Sequence, residues 1–121
     1  MTLRMAAIVS FLLIAVPAKT HELMKGPNGG RLVEASPHHI ELVVSDRTVS
    51  VYVTGAEDKP VAVKGFKGLA ILTVSGKAVR IALEAKGDNL LSGSAPVALP
   101  AEVKGVVQVT GPNGKTAQGR F

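Results

Sequence analysis

The sequence predicts an all-β protein: a single antiparallel β-sandwich of seven or eight strands with Greek-key-like connections, or a barrel as the alternative. Short segments alternate between apolar and polar residues with a period of two, and turn residues separate them at short spacing. No stretch after residue 18 has a helical pattern. Antiparallel strands of this kind hide their apolar faces only when sheets pack on each other or close into a barrel.

The first residues are typical of a cleavable signal helix, which we assign to residues 1–18. Arg4 precedes an apolar run at 5–16, and Pro17-Ala18 follows at the positions that a signal peptidase inspects. The run has about twelve residues, whereas a membrane-spanning helix needs about 20. We therefore expect a periplasmic protein with no stable membrane insertion after cleavage. An uncleaved anchor is the alternative.

Residues 19–30 are predicted to form a flexible N-terminal arm, and residues 31–121 a single β domain. The arm ends at the turn signal Asn28-Gly29-Gly30. The clearest strands are 38–44 and 48–54, in which β-branched apolar residues alternate with polar ones. Further strand segments are expected from residue 31 onward and at 60–63, 68–74, 78–85, 89–95, 104–110 and 115–121.

The composition excludes several classes of function. The chain has no cysteine, which removes disulfides, thiol catalysis and thiolate metal sites. Its net charge of +5 comes from dispersed Lys and Arg, and with one Tyr, three Phe and no Trp it has little to stack on bases, so no nucleic-acid partner is predicted. Neither a nucleophile elbow nor a phosphate-binding glycine loop is present, so the sequence predicts a protein that is not an enzyme.

The three histidines lie in the first third of the chain and provide the main candidate metal ligands. On a strand, His39 and Glu41 project from the same face about 6.6 Å apart, so their tips can converge on one ion. His38 points to the other face, at the rim of the expected core. A solvated strand end is the alternative for the His39 and Glu41 pair. The complete candidate ligand set is His21, Met24, His38, His39 and Glu41.

A second metal site depends on where the signal peptide is cut. Cleavage after Ala18 leaves a chain that begins Lys19-Thr20-His21. Its amine, two amide nitrogens and one imidazole nitrogen make a square-planar set of the kind that Cu(II) and Ni(II) prefer. The amides of Thr20 and His21 are available because neither residue is proline. A histidine at this position by coincidence is the alternative.

One part of the chain resembles a known family. The stretches 26–34, 37–44 and 51–54 together are similar to an N-terminal region of periplasmic adaptor subunits of resistance-nodulation-division heavy-metal efflux systems, and to small stand-alone periplasmic proteins. The resemblance implies partners among the components of a metal efflux system. In that pattern the turn often reads Pro-His-Gly-Gly, whereas this chain has Asn28 in place of the histidine.

The sequence thus predicts an exported, non-enzymatic metal-binding accessory protein. Copper or another divalent late transition metal is the expected ligand, because imidazole and thioether groups suit these ions. Sequestration or hand-over of the ion in metal homeostasis or efflux is the expected role. The alternative is a protein-interaction β-sandwich module without metal, which accepts a partner's strand at an exposed sheet edge.

Overall fold

Residues 24–121 are described by a computed structural model, in which nine strands form one antiparallel sheet. Within these residues the one helical element is a single 3-10 turn at Ala56–Asp58. The predicted all-β antiparallel class is therefore confirmed. In chain order the strands are β1 (Met24–Lys25), β2 (Arg31–Ala35), β3 (His38–Ser45), β4 (Thr48–Thr54), β5 (Lys67–Val74), β6 (Lys77–Ala85), β7 (Leu90–Ser94), β8 (Lys104–Thr110) and β9 (Thr116–Arg120).

The connections have the predicted Greek-key character. The strand order is β1-β2-β3-β4-β7-β6-β5-β8-β9. Strands β5, β6 and β7 follow one another, and β8 returns to lie beside β5, which is the Greek-key order. Strands β6 and β7 pair only through Glu84 with Ser92 and Ala85 with Leu91. The sheet is thus continuous but nearly divided into two halves, and it curls into a half-barrel instead of forming two separate sheets.

The inner sides of the two halves share one apolar core. The alternation in β3 and β4 places Ile40, Val49, Val51 and Val53 fully inside, as the sequence predicts. The other half supplies matching residues from each of its strands, so the core lies between the halves. Its principal members there are Ala70, Leu72, Ile81, Leu83, Val107, Val109 and Ala117.

Side chains close the half-barrel between β2 and β9, which lie side by side without strand pairing. A Cβ atom on Gly119 would lie 2.5 Å from Ile40 Cδ1 and 2.7 Å from Val33 Cγ2, so only glycine lets β9 come this close. Arg31 donates a hydrogen bond to the carbonyl of Val103. We call this contact between β2 and β9 the seam.

Arg31 also holds the end of the chain against the seam. Its guanidinium carbon lies 5.6 Å from the centre of the Phe121 ring, within the range of a cation–π contact. Partial burial lowers the pKa of Arg31 from its ordinary value, and the charge of Glu102 opposes this shift. An arginine keeps its charge at neutral pH, so the contact persists there.

The structure adds strand β1 to the predicted set. Met24 pairs with Leu32 and Lys25 with Arg31, so the predicted arm is part of the sheet from residue 24 onward. The predicted strand at 60–63 is absent, because Pro60 makes only an isolated bridge to Thr54. Residues 1–23, with the predicted signal helix, lie outside the described residues. No helix within residues 24–121 has the length and apolar character needed to cross a membrane.

Gly105, at the start of β8, sets how closely β8 can approach β5. A Cβ atom there would lie 2.1 Å from the backbone oxygen of Ile71, and the φ angle of Gly105 is 154°. We expect Gly105→Ala to lower the free energy of unfolding by about 2–3 kcal/mol, because backbone atoms cannot move aside as a side chain can. Urea denaturation followed by circular dichroism measures this change.

Gly87→Ala is the matched control for Gly105→Ala. The nearest atom to a Cβ on Gly87 is Leu90 Cβ at 3.5 Å, an ordinary contact. Its stability should stay within about 0.5 kcal/mol of the parent protein. Equal effects of the two substitutions would contradict the proposed role of Gly105.

Candidate functional site

Glu41 is a buried carboxylate on the outer side of the sheet, with a side chain only 1% exposed. One carboxylate oxygen accepts a hydrogen bond from the Gly30 backbone N–H at 2.7 Å. The Asn28 backbone N–H lies 3.0 and 3.2 Å from the two oxygens, and the Asn28 side-chain amide donates at 2.9 Å. The carboxylate is therefore held by three N–H groups of the segment 26–30, which we call the glycine loop.

The sequence of the glycine loop explains how it closes over Glu41. A Cβ atom on Gly26 would lie 2.2 Å from Glu41 Cδ, and one on Gly30 would lie 2.3 Å from the backbone oxygen of Leu42. Gly29 has a φ of 79°, which glycine adopts without strain. The Gly26 N–H also donates to the Gly30 carbonyl at 2.9 Å. The predicted turn at Asn28-Gly29-Gly30 is thus part of a loop that covers the Glu41 carboxylate and binds it.

The structure therefore does not bring Glu41 and His39 together as a ligand pair. Both residues do lie on the outer face of β3, as their spacing predicts. The oxygens of Glu41, however, are already engaged by the glycine loop. The sequence does not predict these hydrogen bonds to Glu41, because the glycine loop is not a strand and its position over β3 follows from tertiary packing.

The other candidate ligands are separated as well. His38 faces the inside of the half-barrel, where its ring meets the ring of Phe66 edge-on at 6.4 Å between centres. Met24 lies on the edge strand β1 and is 57% exposed. His21 lies outside the described residues. Only His39 remains on the outer face with neighbours of suitable chemistry.

His39 lies in a row of three polar residues that crosses β2, β3 and β4. Its direct cross-strand partners are Glu34 and Thr54, and such partners have Cβ atoms about 4.5–5.5 Å apart. Two side-chain atoms of this row, His39 Nδ1 and Thr54 Oγ1, are buried without a hydrogen-bond partner in the described structure. We call Glu34, His39 and Thr54 the His39 row.

The sequence does contain a signal for part of this row. Ser36-Pro37 forms a two-residue connection between Ala35 and His38, and this fixes the register that pairs Glu34 with His39. Thr54 is opposite His39 because β3 and β4 also join through a two-residue turn. No sequence pattern predicts that Thr54 is buried, because its burial arises where the chain returns and Pro60 forms a bridge with Thr54.

The His39 row offers one imidazole, one carboxylate and one hydroxyl group. Imidazole and carboxylate are ligands that zinc, copper and nickel accept. Among the residues that the structure describes, no three His, Cys, Asp or Glu side chains are grouped closely enough to hold a metal ion. Any ion at this row therefore needs further ligands, from solvent or from another group.

A hollow of about 520 Å³ lies at the end of the seam where the β2–β3 turn and β9 separate. His38 and Phe66 lie on its inner side, and Lys115 and Thr116 belong to the chain entering β9. Its lining is mostly apolar. The remaining lining residues are Pro37, Val109, Gly111, Pro112, Asn113 and Ala117.

Comparison of the chain with protein-family models, with curated proteins and with solved structures found no match.

Replacing Glu41 tests whether it is structural. We expect both Glu41→Ala and Glu41→Gln to lower the free energy of unfolding by about 2–4 kcal/mol, because buried N–H donors lose a charged acceptor. Hydrogen exchange at the Asn28 and Gly30 amides should accelerate in both variants. Glu34→Ala is the control, since Glu34 is exposed and belongs to the same face. A Glu41→Gln protein as stable as the control would contradict this role.

Proposed function

We propose that the protein is an exported, non-enzymatic accessory protein that binds copper or another divalent late transition metal. It sequesters the ion or hands it over to components of a metal homeostasis or efflux system in the periplasm. The observation that carries this proposal is the buried Nδ1 of His39, which has no hydrogen-bond partner among residues 24–121. His39 lies between Glu34 and Thr54 across the strands.

Unpartnered buried polar atoms are unusual and need a cause. Leaving such an atom without a partner costs about 1–3 kcal/mol, so a fold keeps it only where something else is gained or where a water or ion completes it. Here two such atoms belong to directly opposed residues, His39 and Thr54. A metal ion with its own water ligands would satisfy both the imidazole nitrogen and the hydroxyl oxygen.

The donor set suits transfer of an ion better than permanent storage. The His39 row supplies only two strong ligands, the imidazole of His39 and the carboxylate of Glu34, and Glu34 is exposed. A metal ion held there keeps positions that water or a partner's ligands can occupy. Such a site releases its ion readily, as hand-over requires.

The first test measures metal affinity at the His39 row alone. In a His21→Ala background, which removes the imidazole of the arm, we expect His39→Ala to weaken binding of Cu(II) and Zn(II) at least tenfold. Glu34→Gln should have a smaller effect in the same direction, because it removes the carboxylate charge. Isothermal titration calorimetry gives the affinities, and the ¹⁵N shift of His39 Nδ1 reports whether that atom is the ligand.

His38→Ala is the matched control for His39→Ala, since it removes a neighbouring imidazole that faces the other side of β3. It should leave metal affinity at the row unchanged. If His39→Ala and His38→Ala bind metal equally well, the His39 row is not the site.

The arm is tested separately with protein purified after export, its first residue identified by mass spectrometry. If the chain starts at Lys19, we expect Cu(II) to produce the visible absorption band of a copper–amide complex, since the amine, two amides and His21 supply four nitrogens. His21→Ala should abolish the band, and Met24→Leu should retain it. A band that is unchanged in His21→Ala would exclude this ligand set.

A protein-interaction module without metal is the second candidate function. The observation that favours it is that β1, whose two residues are exposed, is the first strand of the sheet and pairs with β2 alone among the described strands. Strand addition at this edge would be insensitive to His39→Ala and to metal chelators. A metal-transfer protein would lose its activity under both conditions.

A further inference from the structure

The hollow at the end of the seam has walls from three parts of the chain: residues 37–38, Phe66, and residues within 109–117. It reaches the interior of the half-barrel, because the buried residue Ala117 forms part of its wall. Two residues further along β9, at Gly119, the seam is tight and the hollow does not continue. The hollow thus lies at one mouth of the half-barrel, a place where β-barrels bind small ligands.

Hydrogen bonds within the loops hold the walls of the hollow in place. In the turn between β8 and β9, the Gly111 N–H donates to the Lys115 carbonyl at 3.0 Å. The Lys115 N–H donates to Asn113 Oδ1, also at 3.0 Å. Phe66 is positioned by the bond from its N–H to the Val63 carbonyl at 2.9 Å. Because these walls are already ordered, a ligand that enters the hollow has little ordering of the protein to offset.

The lining of the hollow offers flat apolar groups. The ring of Phe66 lies edge-on to that of His38, with 6.4 Å between their centres, and Pro37 and Pro112 add two further rings. The volume of about 520 Å³ lies in the range of about 300–1,000 Å³ that is usual for small-molecule sites. An aromatic ligand can pack against Phe66 in the edge-on or offset arrangement that aromatic pairs prefer.

The charge around the hollow is positive. The stretches 37–38, 63–66 and 109–117 contain Lys64 and Lys115 and no aspartate or glutamate. Lys115 belongs to the lining and is exposed at its mouth. Among residues 24–121 no carboxylate lies within salt-bridge distance of its ammonium group. The hollow therefore favours an anion over a cation of the same shape.

We propose that the hollow binds a small aromatic carboxylate. The ring of the ligand packs against Phe66 and the prolines of the lining, and its carboxylate pairs with the ammonium group of Lys115 at the mouth. The site is separate from the His39 row, because His38 and His39 project from opposite faces of β3. This inference goes beyond both candidate functions and needs neither a metal ion nor a protein partner.

The test titrates hydrocinnamate, a phenyl ring on a short chain that ends in a carboxylate, into protein purified after export, with a metal chelator present. We expect the backbone amide signals of Phe66, Thr116 and Ala117 to shift in ¹H–¹⁵N spectra. The neutral amide of the same acid keeps the ring but lacks the charge, so it should bind about three- to tenfold more weakly. Propionate, which lacks the ring, should not shift these signals at the same concentration.

Lys115→Gln is the decisive variant of the protein. It removes the charge and keeps the wall, so the variant should bind hydrocinnamate and its neutral amide equally. Lys104→Gln is the matched control, since it removes the same charge at the other end of β8. It should keep the preference of the parent protein for the acid. Ala117→Leu, with its fold verified by circular dichroism, should abolish binding of both compounds because the larger side chain fills the hollow.

Four outcomes would overturn the inference. They are unshifted Phe66 and Ala117 signals in excess hydrocinnamate, equal binding of acid and amide by the parent protein, a Lys115→Gln protein that still prefers the acid, and full binding by a folded Ala117→Leu protein. If Ala117→Leu does not fold, the comparison of Lys115→Gln with Lys104→Gln decides. The metal proposal is tested independently, since the chelator is present throughout.

Discussion

A single sheet forms this protein, and it must fold over to bury its own apolar face. The rest of the structure depends on how the sheet closes around that core. The two halves share only two residue pairs between β6 and β7, and at the other side β2 and β9 meet without strand pairing. Gly119 provides the close approach, and Arg31 fastens the end of the chain through Val103 and Phe121. Because no continuous ladder joins β2 to β9, the β2–β3 turn and the start of β9 separate, and the hollow forms between them.

Glu41 shows how a structural residue can imitate a metal ligand. A histidine and a glutamate two residues apart on a strand suggest a binding pair, yet here the glutamate organises the glycine loop. N–H groups of this loop bind the buried carboxylate, and Asn28 contributes one of the donors from its side chain.

Much of the fold was predictable, because period-two alternation directly reflects which residues face the core. Val49, Val51 and Val53 are buried as that pattern requires, and the faces of His38 and His39 are as expected. The candidate site was less accessible to sequence reasoning. The pairing of Glu34, His39 and Thr54 could be predicted from two short turns. The position of the glycine loop over Glu41 and the burial of Thr54, however, come from irregular segments without periodicity. The hollow is built from residues distant in sequence, such as Pro37 and Pro112, which only the curl of the sheet brings together.

The seam also determines when the core can close during folding. Val33 and Gly119 lie near opposite ends of the described sequence, so their contact closes a long loop and depends on the strands between them being in place. A chain that is synthesised from its N-terminus acquires β9 only at the end. Until then Val33 and Ile40, which lie against Gly119 in the folded protein, stay exposed to water on one side. A product cut short before residue 116 would keep this interior open, and quality-control proteases would find it easily.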